Sequence, residues 1–238
     1  MEGLIVHAGA QRVGRQDLLA LPTPEATATH HPIPHSRLVE TILEALAYRQ
    51  LQIVRDEYAV TDDGMRLFGF LEVNIEHGGV RLALVFRNSH DKSFSLGVLA
   101  GYRTFCCDNL AFHGEFVAVA RKHTKNVELV DTVSVGVDRV QRHFQKVQQT
   151  IDAWQGFELP DAQAKAVIYD AFIVGDLDAP RKLAASVHQH YFAPQYPEFE
   201  PRTMWSLSNA FTSSFKQLEP VRQMEATAKL APFLARYN

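Results

Sequence analysis

Val80, Leu82, Leu84 and Phe86 alternate with Arg81, Ala83, Val85 and Arg87, and after a polar interruption Phe94, Leu96, Val98 and Ala100 resume the rhythm. A period of two is the mark of strands with one apolar face, because successive side chains leave a pleated backbone on opposite sides. Upstream, residues 52–60 and 65–75 are rich in β-branched and aromatic residues. Asp62-Asp63-Gly64 and Glu76-His77-Gly78-Gly79 separate the runs, and such residues accept the positive φ of tight hairpin turns. The middle of the chain therefore reads as an antiparallel β-meander of about four strands, with Asn88 to Lys92 as a polar loop.

The flanks obey other rules. Residues 1–35 carry Pro22, Pro24, Pro32 and Pro34, a density that opposes regular structure and predicts an extended arm. Ser36 is a good N-cap for a helix over 37–50, where Leu38, Ile42, Leu43 and Leu46 recur at helical spacing. After Asp108 the pattern turns helical. A long amphipathic stretch fits 126–154, and further helices fit 161–174, 179–191, 203–218 and 220–236, with glycine and proline at the breaks. The fold class is α+β: an N-terminal arm, one helix, the meander and a helical C-terminal half. The expected organisation is an extended Pro-rich arm over 1–35, a β-meander core domain over 36–125 and a helical region packed on it over 126–238.

With 238 residues, 46% of them hydrophobic, the chain can bury a sizeable core. Its net charge of −3 argues against coating nucleic acid by bulk positive charge, but leaves room for a local basic groove. The only cysteines, Cys106 and Cys107, are adjacent and poorly placed for a structural disulfide. That suits a reducing compartment, and with no apolar run near the roughly 20 residues needed to span a bilayer, a cytoplasmic protein with no membrane partner is expected.

The segment LVFRNSHDKSFSLGVLAGYRTFCCDNLAF at 84–112 pairs an Asn-Ser-His-Asp loop with a Cys-Asp-Asn corner across a strand. In this it resembles the phage- and plasmid-borne family built on the domain of unknown function 932. That family often ends on an aromatic followed by Asn-Ala-x-Thr, to which Trp205 through Asn209, Ala210 and Thr212 is similar. The resemblance implies a mobile-element or prophage setting and no established chemistry.

Several groups could carry function. His90 and Asp91, beside Asn88 and Ser89, could form a catalytic turn, since histidine titrates near neutrality and a carboxylate can orient it. The same residues also make an ordinary hairpin turn. Cys107, Asp108 and Asn109 could set a thiol at a helix start, or simply pack as a small hydrophobe and its cap. Arg81, Arg87, Arg103, Arg121, Lys122 and Lys125 could line a groove for single-stranded DNA. The eleven histidines, among them His30, His35, His90 and His123, show no convincing metal-ligand spacing, and neither a metal nor a cofactor is expected. The favoured function is a nucleic-acid-binding accessory factor. The alternatives are an enzyme using the His-Asp loop, or a protein that binds a host factor or a second copy of itself.

Overall fold

The computed structural model describes residues 10–104, 110–124, 128–218 and 220–237. It is α+β. Six strands form one sheet in the order of the chain: β1 (Ala10–Val13), β2 (Ile53–Thr61), β3 (Arg66–His77), β4 (Val80–Ser89), β5 (Leu96–Thr104) and β6 (Leu110–Arg121). β1 and β2 run antiparallel, as do β2 and β3, with Val13 opposite Tyr58 and Tyr58 opposite Gly69. Gly78 and Gly79 both take positive φ, +55° and +81°, as a two-residue hairpin turn between β3 and β4 requires.

The meander has two strands more than the sequence pattern predicts. β1 lies upstream of the first proline, Pro22, so its N–H groups are free to pair although the rest of the arm is irregular. β6 occupies 110–121, where a helical pattern was expected. Phe112, Phe116, Val117 and Val119 favour a pleated backbone there, and the next helix starts only at Leu129.

Seven α-helices follow in chain order among the described residues: α1 (Asp17–Ala20), α2 (His35–Tyr48), α3 (Leu129–Gly156), α4 (Asp161–Tyr169), α5 (Ala184–Phe192), α6 (Met204–Phe215) and α7 (Pro220–Leu234). None is long and apolar enough to cross a membrane. The expected N-cap, Ser36, lies inside α2. Pro34 occupies the cap instead, because its fixed φ of −51° leads directly into the first turn.

The chain divides into two compact units. The first takes in the residues up to Ile75 with Arg81–Gly101 and Phe116–Phe144. Its core includes Leu38, Ile42 and Leu46 of α2, Leu67 and Leu71 of β3, and Leu84 and Phe86 of β4, all fully buried. Burial of each contributes about 2 kcal/mol. α2 is pinned at both ends. His35 in its first turn reaches the carbonyl of Gly64 at 3.0 Å, and Arg49 just past its end donates to Asp138 of α3 at 2.6 Å.

The second unit comprises Glu76–Val80, Tyr102–Glu115 and the residues from Gln145 on. α6 is buried almost all round, which marks it as the central helix. Thr203 caps it by accepting from the Ser206 N–H at 3.2 Å. Asn209, from the C-terminal motif, donates to the Trp205 carbonyl at 3.0 Å and accepts from Thr104 Oγ1 at 3.2 Å. That motif is thus a buried structural tie in this unit.

Candidate functional site

β4 carries Asn88 and Ser89 inside the strand, so the polar loop is shorter than its composition suggests. His90 continues the ladder by donating its backbone N–H to Met65 at 2.8 Å. Asp91 then makes the turn. Its Oδ1 accepts from Ser89 Oγ at 2.6 Å and from the Ser93 N–H at 3.0 Å, while Oδ2 accepts from Arg66 Nε at 2.7 Å. Partial burial opposes ionisation, but these three donors outweigh it and hold the carboxyl well below the usual carboxylate range. Asp91 is therefore a fixed anion already committed to its own turn and to Arg66.

His90 points the other way, into the protein. It stacks on His35 with ring centroids 3.9 Å apart and planes within 3°. His30 and His123 form a second parallel pair at 5.4 Å. All four are buried, with Asn88 among them. The hydrogen bonds assign the tautomers. Three rings donate from Nε2 to carbonyl oxygens: His35 to Gly64, His90 to Ile33 at 2.8 Å, and His30 to His90 at 3.0 Å. With Nε2 protonated, His35 Nδ1 is a lone pair, and it accepts from Asn88 Nδ2 at 2.8 Å. The second hydrogen of that amide goes to the Ile33 carbonyl, also at 2.8 Å. Asn88 Oδ1, His90 Nδ1 and both ring nitrogens of His123 are buried without a hydrogen-bond partner among the described residues.

Burial favours the neutral form of His35, His90 and His123. Burial lowers the pKa of His35 to about 4, with His90 and His123 adding to the effect and the Gly64 bond opposing it. Burial, then His30 and His90, brings His123 to about 4. Burial also pulls His90 down, and the bond to the Ile33 carbonyl, with Asp91, only partly offsets it. Unfolded histidine binds its proton near pH 6.5, so the stability these rings contribute is complete above that pH and drains away as pH falls toward 4. At ~1.4 kcal/mol per pH unit, His35 alone withdraws on the order of 3 kcal/mol across this window. Urea denaturation at pH 7, 6 and 5 should show the loss, and His35→Gln should flatten the profile; a flat wild-type profile contradicts it.

The basic residues separate into different settings. Arg81 and Arg87 are six residues apart and leave β4 on the same side. Arg81 Nη1 donates to Glu72 Oε1 at 2.9 Å, and Glu72 is wholly buried. Arg87 is half-buried, and among the described residues no carboxylate lies within ion-pair reach. Its guanidinium sits over the Phe94 ring at 4.9 Å, and Phe94 in turn lies 5.5 Å from Phe68. Both phenylalanines are partly exposed. Burial lowers the Arg87 pKa, with no acidic group among the described residues to restore it. Lys122 is exposed and Arg103, on β5, half-exposed. Arg121 ends β6. Lys125, Cys107, Asp108 and Asn109 lie outside the described residues.

Phe68 and Phe94 were not singled out by the sequence, and neither was the convergence of His30, His35, His90 and His123. Spacing could have shown neither. Among the described residues, no group of three or more histidine, cysteine or carboxylate side chains is placed to hold a metal. The second unit has a cleft of about 360 Å³ beside Thr104, Gln155, Glu198 and Trp205, with neither histidine nor cysteine among its described lining residues.

A six-stranded meander with a buried histidine–asparagine cluster at one strand end defines an α+β domain protein. The family model described as Domain of unknown function (DUF932) matches residues 26–232, and the chain belongs to that family. The match begins inside the arm and includes every histidine of the cluster. No curated protein and no solved structure matches the chain.

Proposed function

We propose that this protein is an accessory factor that binds single-stranded nucleic acid, in a mobile-element or prophage setting, through a platform built from Arg87, Phe94 and Phe68. The observation that carries the reading is the half-buried Arg87 guanidinium, stacked on an aromatic ring and lacking an acidic partner among the described residues. An arginine desolvated without a counter-charge is primed for an anion, and a phosphate supplies one. Two adjacent, partly exposed phenylalanines offer faces on which bases stack, whatever their sequence. Lys122 is exposed and available to a backbone phosphate. Arg81 plays a different part, since Glu72 already holds it.

Fluorescence anisotropy with a labelled oligothymidine, titrated at rising salt, tests this. Affinity should fall with log salt at a slope of about −0.7 per phosphate neutralised. Phe94→Ala should weaken binding by about tenfold, the lower end of ~1–3 kcal/mol per stacked base. Arg87→Ala should weaken it and flatten the slope. Absence of binding at low salt, or binding indifferent to both substitutions, removes the reading.

A further inference from the structure

We propose that the buried histidine cluster is an acid-released latch, which holds the strap from Thr27 to Pro34 against the end of β4 at neutral pH and lets it go on protonation. Asn88, whose amide needs a neutral His35 as its acceptor, is one fastening of the strap, beside bonds from imidazole Nε2 and from backbone N–H groups. The Ile33 carbonyl accepts from both His90 Nε2 and Asn88 Nδ2. His30 Nε2 donates to the His90 carbonyl, and the His31 N–H donates to the His123 carbonyl at 3.0 Å. Within the strap, the Thr27 N–H donates to the His30 carbonyl at 2.8 Å.

The chemistry of release follows from one contact. His35 Nδ1 accepts from the Asn88 amide. A proton added there turns the acceptor into a donor facing a donor, and the pair separates unless Asn88 turns its amide over. Turning it over brings Oδ1 to the imidazolium, but carries the NH2 group off the Ile33 carbonyl and sets oxygen against oxygen. Protonation of His35 is thereby transmitted through Asn88 to the strap. The stack adds to the effect, because a charge on His35 raises the cost of one on His90 at 3.9 Å.

The groups facing the cluster come from each packed element. His35 meets His90, His123, Asn88 and the Gly64 carbonyl. His90 meets His30, Asp91 and the Ile33 carbonyl. His123 meets His30 and His90. Asp91 is the sole carboxylate acting on these rings among the described residues, and it is bound to Arg66, Ser89 and Ser93. Burial and mutual proximity already depress these histidines, so a proton taken up by one favours opening over sharing.

Hydrogen–deuterium exchange on the intact protein, corrected for the intrinsic pH dependence of exchange, tests the latch. Protection of Thr27 to Ile33 should fall about tenfold or more between pH 7 and pH 5, since each linked proton shifts opening by up to tenfold per pH unit. Protection of Val39 to Leu46 in α2 should hold over the same range. His35→Gln should keep the strap protected at pH 5. If that variant fails to fold, His90→Gln, which removes a neighbour that holds the His35 pKa down, should move the opening to higher pH. A strap equally protected at both pH values overturns the proposal, as does one that opens only together with α2.

Discussion

Gly69→Val should destabilise the protein by at least ~3 kcal/mol, and Gly69→Ala by nearly as much, at the severe end for overpacking a core. A Cβ built on Gly69 would overlap three atoms of the Phe86 ring, Cζ, Cε1 and Cε2, closer than real carbon atoms approach. The ring cannot step aside cheaply. Phe86 is fully buried and lies tilted against Tyr58, the residue opposite Gly69 on β2, with centroids 6.3 Å apart. The phenyl ring thus fills the space that a glycine leaves open, and the need for glycine here is steric. Denaturation midpoints of the variants measure the effect. Phe86→Leu should be costly alone but should recover part of the loss when combined with Gly69→Ala, since contacting sites are not additive. An unchanged midpoint for Gly69→Ala would contradict this packing.

Arg81→Met should cost about 3–5 kcal/mol, the range for breaking a buried ion pair from one side. Glu72 is wholly buried and Arg81 mostly so, and Arg81→Met takes the guanidinium away from the buried Glu72 carboxylate. Replacing both residues, as Arg81→Met with Glu72→Leu, should restore most of the stability, because two apolar side chains need no counter-charge. A double-mutant cycle by urea denaturation at neutral pH gives the coupling directly. Independent, additive effects of the two substitutions would show that the pair carries no special energy. The same cycle separates the two arginines of β4, since Arg87→Met should cost little stability and act on nucleic-acid binding instead.

That contrast marks where the sequence stops being informative. Alternation over Val80 to Arg87 was enough to place both arginines on one side of a strand. Which of them meets a carboxylate depends on how β4 is set against β3, and composition does not encode that offset. Turn glycines and the stripe of α2 were readable because each is a local demand. β1 was not, since four residues give too short a run to show a period. β6 was missed because phenylalanine and valine serve a helix face or a strand face equally well over a short span. The His-Asp turn was legible as a turn and as a family signature, but not the direction in which His90 points. Its partners come from the arm, the start of α2 and the residues after β6, and no spacing rule links positions so far apart. Phe94 reads as another apolar residue in an alternating strand until Arg87 is seen above it.

β1 reaches only from Thr61 back to Tyr58 along its neighbour, so among the described residues the outer side of β2 from Ile53 to Glu57 carries no strand partner there. Exposed backbone of that kind invites a foreign strand to add on. The ground is occupied by charge. Arg12 pairs with Glu57 at 2.7 Å, Arg55 also engages Glu57, and Arg15 pairs with Asp56. A chain docking along this margin would have to strip water from three arginines and two carboxylates before gaining its first ladder bond. Charge of this kind disfavours growth into fibrils by sheet extension from this side.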